Sequence, residues 1–186
     1  PRFIHAGCKK YDGMEYGSAG IWSMRVSKLL GVLPEKDEHN HTISDNPNFD
    51  YSLQQLVLAR KFRINYYERI RSPEAIKIAL KHGPVILEFD FFDSIHSDVD
   101  GVLTLPDEEN TKSDCAHSVM VYGYDKEANS FNFINSWGIE WGNRGHGKIS
   151  LEYLSKYFVT AFVSSPSFYT SRLLKRKKVK IVNKNW

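Results

Sequence analysis

The sequence of 186 residues has only two cysteines and no long apolar run. Cys8 and Cys115 allow one disulfide at most, which argues against the disulfide-rich framework of small secreted domains and otherwise leaves the compartment open. No apolar stretch approaches the ~20 residues that a membrane-spanning helix needs, so we expect no membrane span. The first ten residues also lack the apolar centre of a signal peptide. Because the sequence begins at Pro1 rather than Met, we expect that it can be part of a larger polypeptide.

The composition is that of a folded globular protein, with 41% hydrophobic and 25% charged residues. A chain of this length can bury one sizeable core, which can be divided between two lobes. The formal net charge of +3 is unevenly placed, because the final stretch SRLLKRKKVKIVNKNW is rich in Lys and Arg and has no acidic residue. We interpret residues 166–186 as a solvated basic extension and expect no nucleic-acid partner.

Helical patterns occupy the first part of the chain. Residues 1–16 read as irregular, because Gly7, Asp12 and Gly13 punctuate them. Apolar residues then recur at helical spacing from Trp22 to Leu33, and we expect Ser18 to cap this helix. A polar loop follows, and YSLQQLVLARKF predicts a second amphipathic helix. Ser72 followed by Pro73 marks the start of a third helix.

Strand patterns occupy the second part of the chain. The stretches VILEFDFF, GVLTL, HSVMVYGYD, SFNFINSW and GHGKISL are short, apolar or alternating, with turn residues between them. Helices that come first and strands that come second favour an α+β fold. We expect one domain over residues 1–165, with a helical lobe at about 14–70, a β-rich lobe at about 71–165 and a cleft between the lobes.

Three separated stretches could together form a catalytic site. EYGSAGIW, residues 15–22, is a turn of small residues that leads into a helix. CAHSVMVYGYD brings His117 into a strand, and NSWGIEWGNRGHGKI places Asn135 at the end of another strand. A thiol at a helix N-terminus has a lowered pKa, and a neighbouring imidazole lowers it further. An asparagine that binds the imidazole fixes the orientation and tautomer of the ring.

With these stretches the sequence resembles the papain-like cysteine peptidase family over about residues 12–165. The resemblance implies a papain-like α+β fold of a helical lobe and an antiparallel β-rich lobe. It implies that His117 stands in the catalytic position, that Asn135 orients it, and that Trp137 shields the pair. It also implies a substrate pocket, which Cys115, Ala116 and Ser118 would line.

The sequence departs from the family pattern at the nucleophile. The family has a glutamine, then about six residues later a cysteine, then a tryptophan. When that tryptophan is aligned with Trp22, Glu15 takes the glutamine position and Ile21 the cysteine position. An isoleucine cannot attack a carbonyl, and a carboxylate would repel the oxyanion that the glutamine amide stabilises. The resemblance would place Glu15, Ile21, Trp22 and Ala19 in one cleft, and we expect this cleft to lack catalytic activity.

Three hypotheses therefore stay open. The first is a natural pseudoenzyme that binds a peptide or protein, in the cleft or on the outer surface. The second aligns Ala19 with the cysteine and describes an active thiol peptidase that an engineered change has inactivated. The third is an enzyme with another nucleophile, such as Cys115, although that residue is predicted on a strand and lacks a helix N-terminus. We expect no cofactor and no metal, since His39 and His41 have no cysteine partner nearby.

Overall fold

The structure is a computed structural model that describes residues 2–13, 17–34, 50–92, 100–106, 113 and 115–166. Within these residues it contains five α-helices, one short 3-10 helix (Arg60–Phe62) and seven strands. The helices are α1 (Arg2–Asp12), α2 (Gly20–Leu29), α3 (Leu53–Ala59), α4 (Pro73–Ala79) and α5 (Leu151–Tyr157). The strands are β1 (Ile64–Ile70), β2 (Val85–Phe91), β3 (Val102–Leu103), β4 (Cys115–Asp125), β5 (Ser130–Ile134), β6 (His146–Ser150) and β7 (Phe158–Pro166). The predicted α+β class is confirmed.

Local capping signals account for two of the helix starts. The Ser52 side chain accepts a hydrogen bond from the Gln55 backbone N–H, and the Gln55 side chain accepts one from the Ser52 N–H, which forms a capping box at α3. The Ser72 side chain accepts a hydrogen bond from the Ala75 N–H, and Pro73 opens α4. The prediction of a helix start at Ser72 was therefore correct.

Two expectations for the N-terminal region were wrong. Residues that we expected to be irregular form helix α1, because tertiary packing buries its apolar positions, among them Phe3 and Ala6. Ser18 does not cap α2. The N-cap is Ala19, without a side-chain hydrogen bond, and the Ser18 hydroxyl instead donates to the Asp12 carboxylate.

The strands form one sheet in the order β1-β7-β2-β4-β5-β6-β3. Every pair of neighbours is antiparallel except β3 and β6, which are parallel. Alternate residues of the central strands point into the main core, which includes Leu87, Phe89, Val121, Phe133 and Ile149. Strand β1 lies at the sheet edge, although its residues fall in the segment that we assigned to the helical lobe. The sheet is thus built mainly from the segment that we assigned to the β-rich lobe, and one strand from the segment that we assigned to the helical lobe extends it.

A second, smaller core joins the helices of the N-terminal half. Phe3 of α1, Leu33 and Ala59 of α3 are fully or almost fully buried together. The Tyr51 hydroxyl donates to the Phe3 carbonyl oxygen over 2.6 Å, which ties the segment before α3 to α1. Helix α2 packs on α1 and also contacts strands β1 and β7. It therefore lies between the small core and the sheet.

Gly31 is expected to be essential for the junction between α2 and α3. Its φ is +98°, and a Cβ at this position would overlap the Ala59 backbone carbonyl. A Gly31→Ala variant should lose about 2 kcal/mol of unfolding free energy, since both the backbone strain and the overlap oppose it. Chemical denaturation would measure this loss.

Gly138 offers the matched control, because its φ is +90° but a Cβ there would meet no atom within 4 Å. Gly138→Ala should carry the backbone strain alone and lose less stability than Gly31→Ala. Equal losses in the two variants would show that the close approach of Ala59 is unimportant.

Candidate functional site

His117 and Asn135 form a hydrogen-bonded pair at one end of the sheet. His117 lies on β4, and Asn135 directly follows β5, the neighbouring strand. The His117 Nε2 and Asn135 Oδ1 atoms are 2.9 Å apart. The Asn135 backbone N–H donates to the Gly145 carbonyl over 2.9 Å, and its side chain is buried. The structure therefore brings together the two residues that the sequence placed 18 positions apart.

The hydrogen bonds of Asn135 fix the tautomer of His117. Asn135 Oδ1 also accepts a hydrogen bond from the Ser136 backbone N–H over 2.8 Å. Because this oxygen can only accept, the Nε2 atom that faces it carries a hydrogen and donates. In the neutral ring the other nitrogen, Nδ1, is then the basic one. The histidine is thus oriented by the protein itself.

Aromatic side chains surround the imidazole. The centroid of the Trp137 ring lies 4.8 Å from that of His117. Phe91 and Phe89 of β2 pack edge to face on the imidazole, at 5.5 and 6.0 Å. Trp137 also packs on Phe91 at 5.2 Å. These ring contacts restrict the position of the imidazole.

Helix α2 begins at the residues where the resemblance expects a nucleophile. Ala19 is the N-cap and Gly20 is the first helical residue, so Ile21 lies in the first turn. The Trp22 backbone N–H donates to the Ala19 carbonyl over 2.9 Å. A side chain in this turn lies at the positive end of the helix dipole. Ile21 is half-buried and places an aliphatic side chain there.

Glu88 connects the start of α2 to the strand of His117. The Gly20 N–H and the Ser118 hydroxyl both donate to the Glu88 carboxylate, the latter over 3.2 Å. Glu88 lies opposite Ser118 in the pairing of β2 with β4, and Ser118 is the neighbour of His117. A Cβ on Gly20 would overlap the carboxylate. The first turn of α2 therefore meets the sheet within one residue of His117.

Burial dominates the electrostatics of Glu88. The side chain is only 7% exposed, and this desolvation raises the pKa of the carboxyl group. The hydrogen bonds from Gly20 and Ser118 and the positive charge of Arg69 oppose this rise. The Arg69 guanidinium is held nearby, since its Nε donates to Thr160 Oγ1 over 2.9 Å and Thr160 pairs with Glu88 across β7 and β2.

The sequence analysis missed Glu88, although a signal was present. VILEFDFF reads as a buried strand, and a glutamate within such a run requires a partner inside the protein. That observation indicates a buried polar contact. It does not reveal that the partner is a backbone N–H on a helix 68 positions earlier in the chain.

The two cysteines lie in different environments and are not bonded to each other. Cys8 of α1 is buried, and this burial raises the pKa of its thiol, while the Ser18 hydrogen bond lowers it and the Asp12 charge raises it. Cys115 is exposed at the start of β4, opposite Phe91 and two residues before His117. Neither cysteine lies at the N-terminus of α2.

The remaining predicted residues divide into three groups. Ala116 and Ser118 flank His117 on β4, as the motif requires. Trp22 stacks on Tyr11, with the ring centroids 6.1 Å apart, whereas Trp137 packs on His117. The Arg25 guanidinium lies 4.5 Å from the centroid of the Trp22 ring. Glu15, His39 and His41 lie outside the described residues. Within the part of the chain that the structure describes, no three His, Cys, Asp or Glu side chains could hold a metal ion, and no helix is long and apolar enough to cross a membrane.

Comparison with known proteins places this arrangement among papain-like structures. The family model of papain family cysteine proteases matches residues 8–166. The structure resembles Xylellain, a cysteine protease from Xylella fastidiosa, with a TM-score of 0.77 and 24% identity over 88% of this chain and 68% of that one. It also resembles procathepsin L2 from the larval midgut of Tenebrio molitor, with a TM-score of 0.66 and 23% identity over 87% of this chain and 51% of the other. The papain-like fold is therefore confirmed.

A curated relative is similar in sequence over most of this chain. The gamete and mating-type specific protein A of Dictyostelium discoideum is 25% identical over 137 residues, which cover 72% of this chain. The match spans only 29% of that protein. This chain thus corresponds to less than a third of the length of the Dictyostelium protein.

Glu88 should make stability depend on pH in a defined direction. Its raised pKa means that the folded state binds this proton more tightly than the unfolded state. The stabilisation of the folded state by this tighter proton binding is fully present below the ordinary glutamate pKa of about 4.3. It is lost as the pH rises through the raised pKa of Glu88. In Glu88→Gln the loss of stability with rising pH should be smaller, because the amide does not titrate. The amide oxygen can still accept the hydrogen bond from the Gly20 N–H. Denaturant unfolding at several pH values would measure both slopes.

The matched control is Glu140→Gln, which makes the same change at an exposed residue. It should leave the pH slope of the parent protein unchanged. If Glu88→Gln and the parent lost stability in parallel as the pH rises, the proposed titration of Glu88 would be wrong.

Proposed function

This chain belongs to the papain family of cysteine proteases, and on that premise we propose that it is a pseudoenzyme that acts by binding a peptide or a protein. Residues 1–165 form its single papain-like domain in this proposal, and residues 166–186 are a basic extension. The partner occupies either the former cleft or the outer surface.

The observation that carries the proposal is the position of Ile21. It lies in the first turn of α2, immediately before Trp22, and the resemblance aligns it with the family's cysteine. Ala19, the alternative candidate, is the N-cap and precedes the helix. An isoleucine side chain has no lone pair for attack and no proton to give to His117. It is also β-branched, which leaves it little freedom to move out of the cleft.

The His117–Asn135 pair cannot replace the missing thiol. An oriented imidazole acts as a general base only when a nucleophile lies within reach. Cys8 is a poor candidate, because it is buried and its thiol pKa is raised. Cys115 is accessible but lies on a strand, without the helix N-terminus that activates family thiols. Loss of the glutamine that donates to the oxyanion, with Glu15 in its position, remains part of the proposal.

The Dictyostelium relative supports a role other than proteolysis only indirectly. Its name refers to gametes and mating types. A relative with such a name is compatible with a domain that recognises a partner. The main support remains the chemistry of position 21.

Peptide turnover tests the proposal directly. The unmodified chain should leave a broad mixture of peptides intact, as judged by mass spectrometry, and so should His117→Ala. Cleavage by the parent that disappears in His117→Ala would contradict the pseudoenzyme hypothesis. A Cys115→Ala variant would then test the alternative nucleophile.

Two cysteine substitutions test which residue occupies the nucleophile position. In Ile21→Cys the new thiol would lie at the N-terminus of α2, so iodoacetamide should alkylate it several-fold faster near neutral pH than it alkylates Cys115. Ala19→Cys is the matched variant. Its new thiol would lie at the N-cap of the same helix, so it should react faster than Cys115 but more slowly than the thiol of Ile21→Cys, which we expect His117 to activate further. In each variant, mass spectrometry after tryptic digestion would distinguish alkylation of the new thiol from alkylation of Cys8 and Cys115.

The opposite ranking would favour the alternative alignment, in which Ala19 replaces the cysteine. His117→Ala combined with Ile21→Cys should slow the alkylation again, since the imidazole stabilises the thiolate. An unchanged rate in that double variant would mean that position 21 and His117 do not form one site.

A further inference from the structure

We propose that a groove on the outer face of α2 binds an acidic peptide segment through one aromatic side chain and its flanking carboxylates. This outer groove is lined by three aromatic residues, Tyr11, Trp22 and Tyr67, and by three cations, Arg25, Lys28 and Arg63. Its volume is about 370 Å³, which lies in the range of small ligand sites. The proposal deepens the proposed binding function and names a surface for it, but it does not depend on the loss of peptidase activity.

The outer groove lies on the other side of α2 from the candidate site. Gly20, Met24 and Ser27 are spaced by four and three residues, are buried, and share the side on which Gly20 contacts Glu88. Trp22, Arg25 and Leu29 share the opposite side by the same spacing. A ligand in the outer groove would therefore not occupy the cleft at His117.

The aromatic residues form a preformed platform. The Tyr11 and Trp22 rings are stacked, with 13° between their planes. Tyr11 is 50% exposed and Leu29 is 57% exposed, so apolar surface faces solvent there. Flat aromatic surface of this kind binds another aromatic or apolar side chain with little loss of conformational freedom.

The cations give the outer groove one sign of charge. Arg25 lies over the Trp22 ring, and the Lys28 ammonium is 5.9 Å from the Tyr67 ring. Arg63 Nε donates to the Lys28 carbonyl over 2.9 Å, which fixes its guanidinium at the rim. Within the part of the chain that the structure describes, no acidic residue lines the outer groove and no ion pair involves these three cations.

Charge complementarity therefore selects the occupant. Three cations within one small groove repel each other, and carboxylates on a ligand would relieve that repulsion. Asp12, the acidic residue of α1, accepts a hydrogen bond from Ser18. A peptide with an aromatic residue between aspartates or glutamates matches both the platform and the rim.

Fluorescence anisotropy with a labelled peptide tests this inference. The probe is a short peptide with one tryptophan flanked by aspartates, added to the full chain at about 0.1 M salt. Arg25→Glu and Lys28→Glu should each weaken binding about tenfold, because each removes an attraction and adds a repulsion. Lys61→Glu makes the same charge change at an exposed residue outside the lining and should change affinity by less than about twofold.

Two altered peptides separate the contributions. A peptide with alanine in place of tryptophan should bind more weakly, and one with lysines in place of aspartates should not bind. Circular dichroism and thermal melting would establish that each variant is folded. The basic extension is present in every sample, so differences between variants report the outer groove alone.

Several results would overturn the inference. Equal weakening by Lys61→Glu would mean that affinity reflects net charge only, and unchanged affinity in Arg25→Glu and Lys28→Glu would place binding elsewhere. No saturable binding of the acidic peptide would exclude the proposed ligand class. If sedimentation showed self-association that Arg25→Glu abolishes, the occupant would be a second copy of this chain. Peptide cleavage would contradict the proposed function without affecting this test.

Discussion

The contact between Glu88 and Gly20 determines how the helical part of the molecule meets the sheet. A carboxylate buried within a central strand is costly unless donors and a positive charge compensate its lost hydration. Here the Gly20 N–H, the Ser118 hydroxyl and Arg69 supply that compensation. Because a Cβ on Gly20 would overlap the carboxylate, the approach also requires glycine at the start of α2. The strand and the helix are therefore constrained by each other.

The geometry around His117 has a structural reason that is independent of catalysis. Asn135 is buried, so its side-chain oxygen must accept hydrogen bonds, and it does so from His117 and Ser136. Phe91 and Trp137 pack on the imidazole and on each other. Removal of the histidine would take away one of the two hydrogen bonds of the Asn135 side-chain oxygen and leave a gap between these rings. The pair can thus persist in a protein that does not cleave peptides, and the residue at position 21 is the more informative one.

Local patterns predicted much of the fold. The α4 start at Ser72 and the strands β2 and β4 follow from capping residues and apolar periodicity, which act over a few positions. Helix α1 was missed because Gly7 reads as a breaker. In the folded protein Gly7 allows close packing on Val26, since a Cβ there would overlap that side chain. Contacts between distant segments override a weak local preference in such cases.

The candidate site also has residues that the sequence predicts and residues that it does not. His117 and Asn135 could be predicted because each lies in a distinctive stretch of sequence. The role of Glu88 could not, because it depends on Gly20, which is far away in the sequence and has no side chain to mark a contact. The outer position of Trp22 was missed for a related reason: a tryptophan in a helix pattern does not reveal which face the neighbouring elements cover.

Helix α2 explains how a family member could lose its chemistry and still gain a binding surface. Its inner side is fixed by Gly20 against Glu88 and by the burial of Met24 and Ser27. These contacts involve no thiol, so the proposed replacement of the nucleophile would not release the helix from the sheet. Arg25 and Leu29 on its outer side are exposed and can vary without altering this packing. A rigid helix with a variable exposed side is the kind of element on which recognition of a partner can develop, because the fold positions the side chains before the partner arrives.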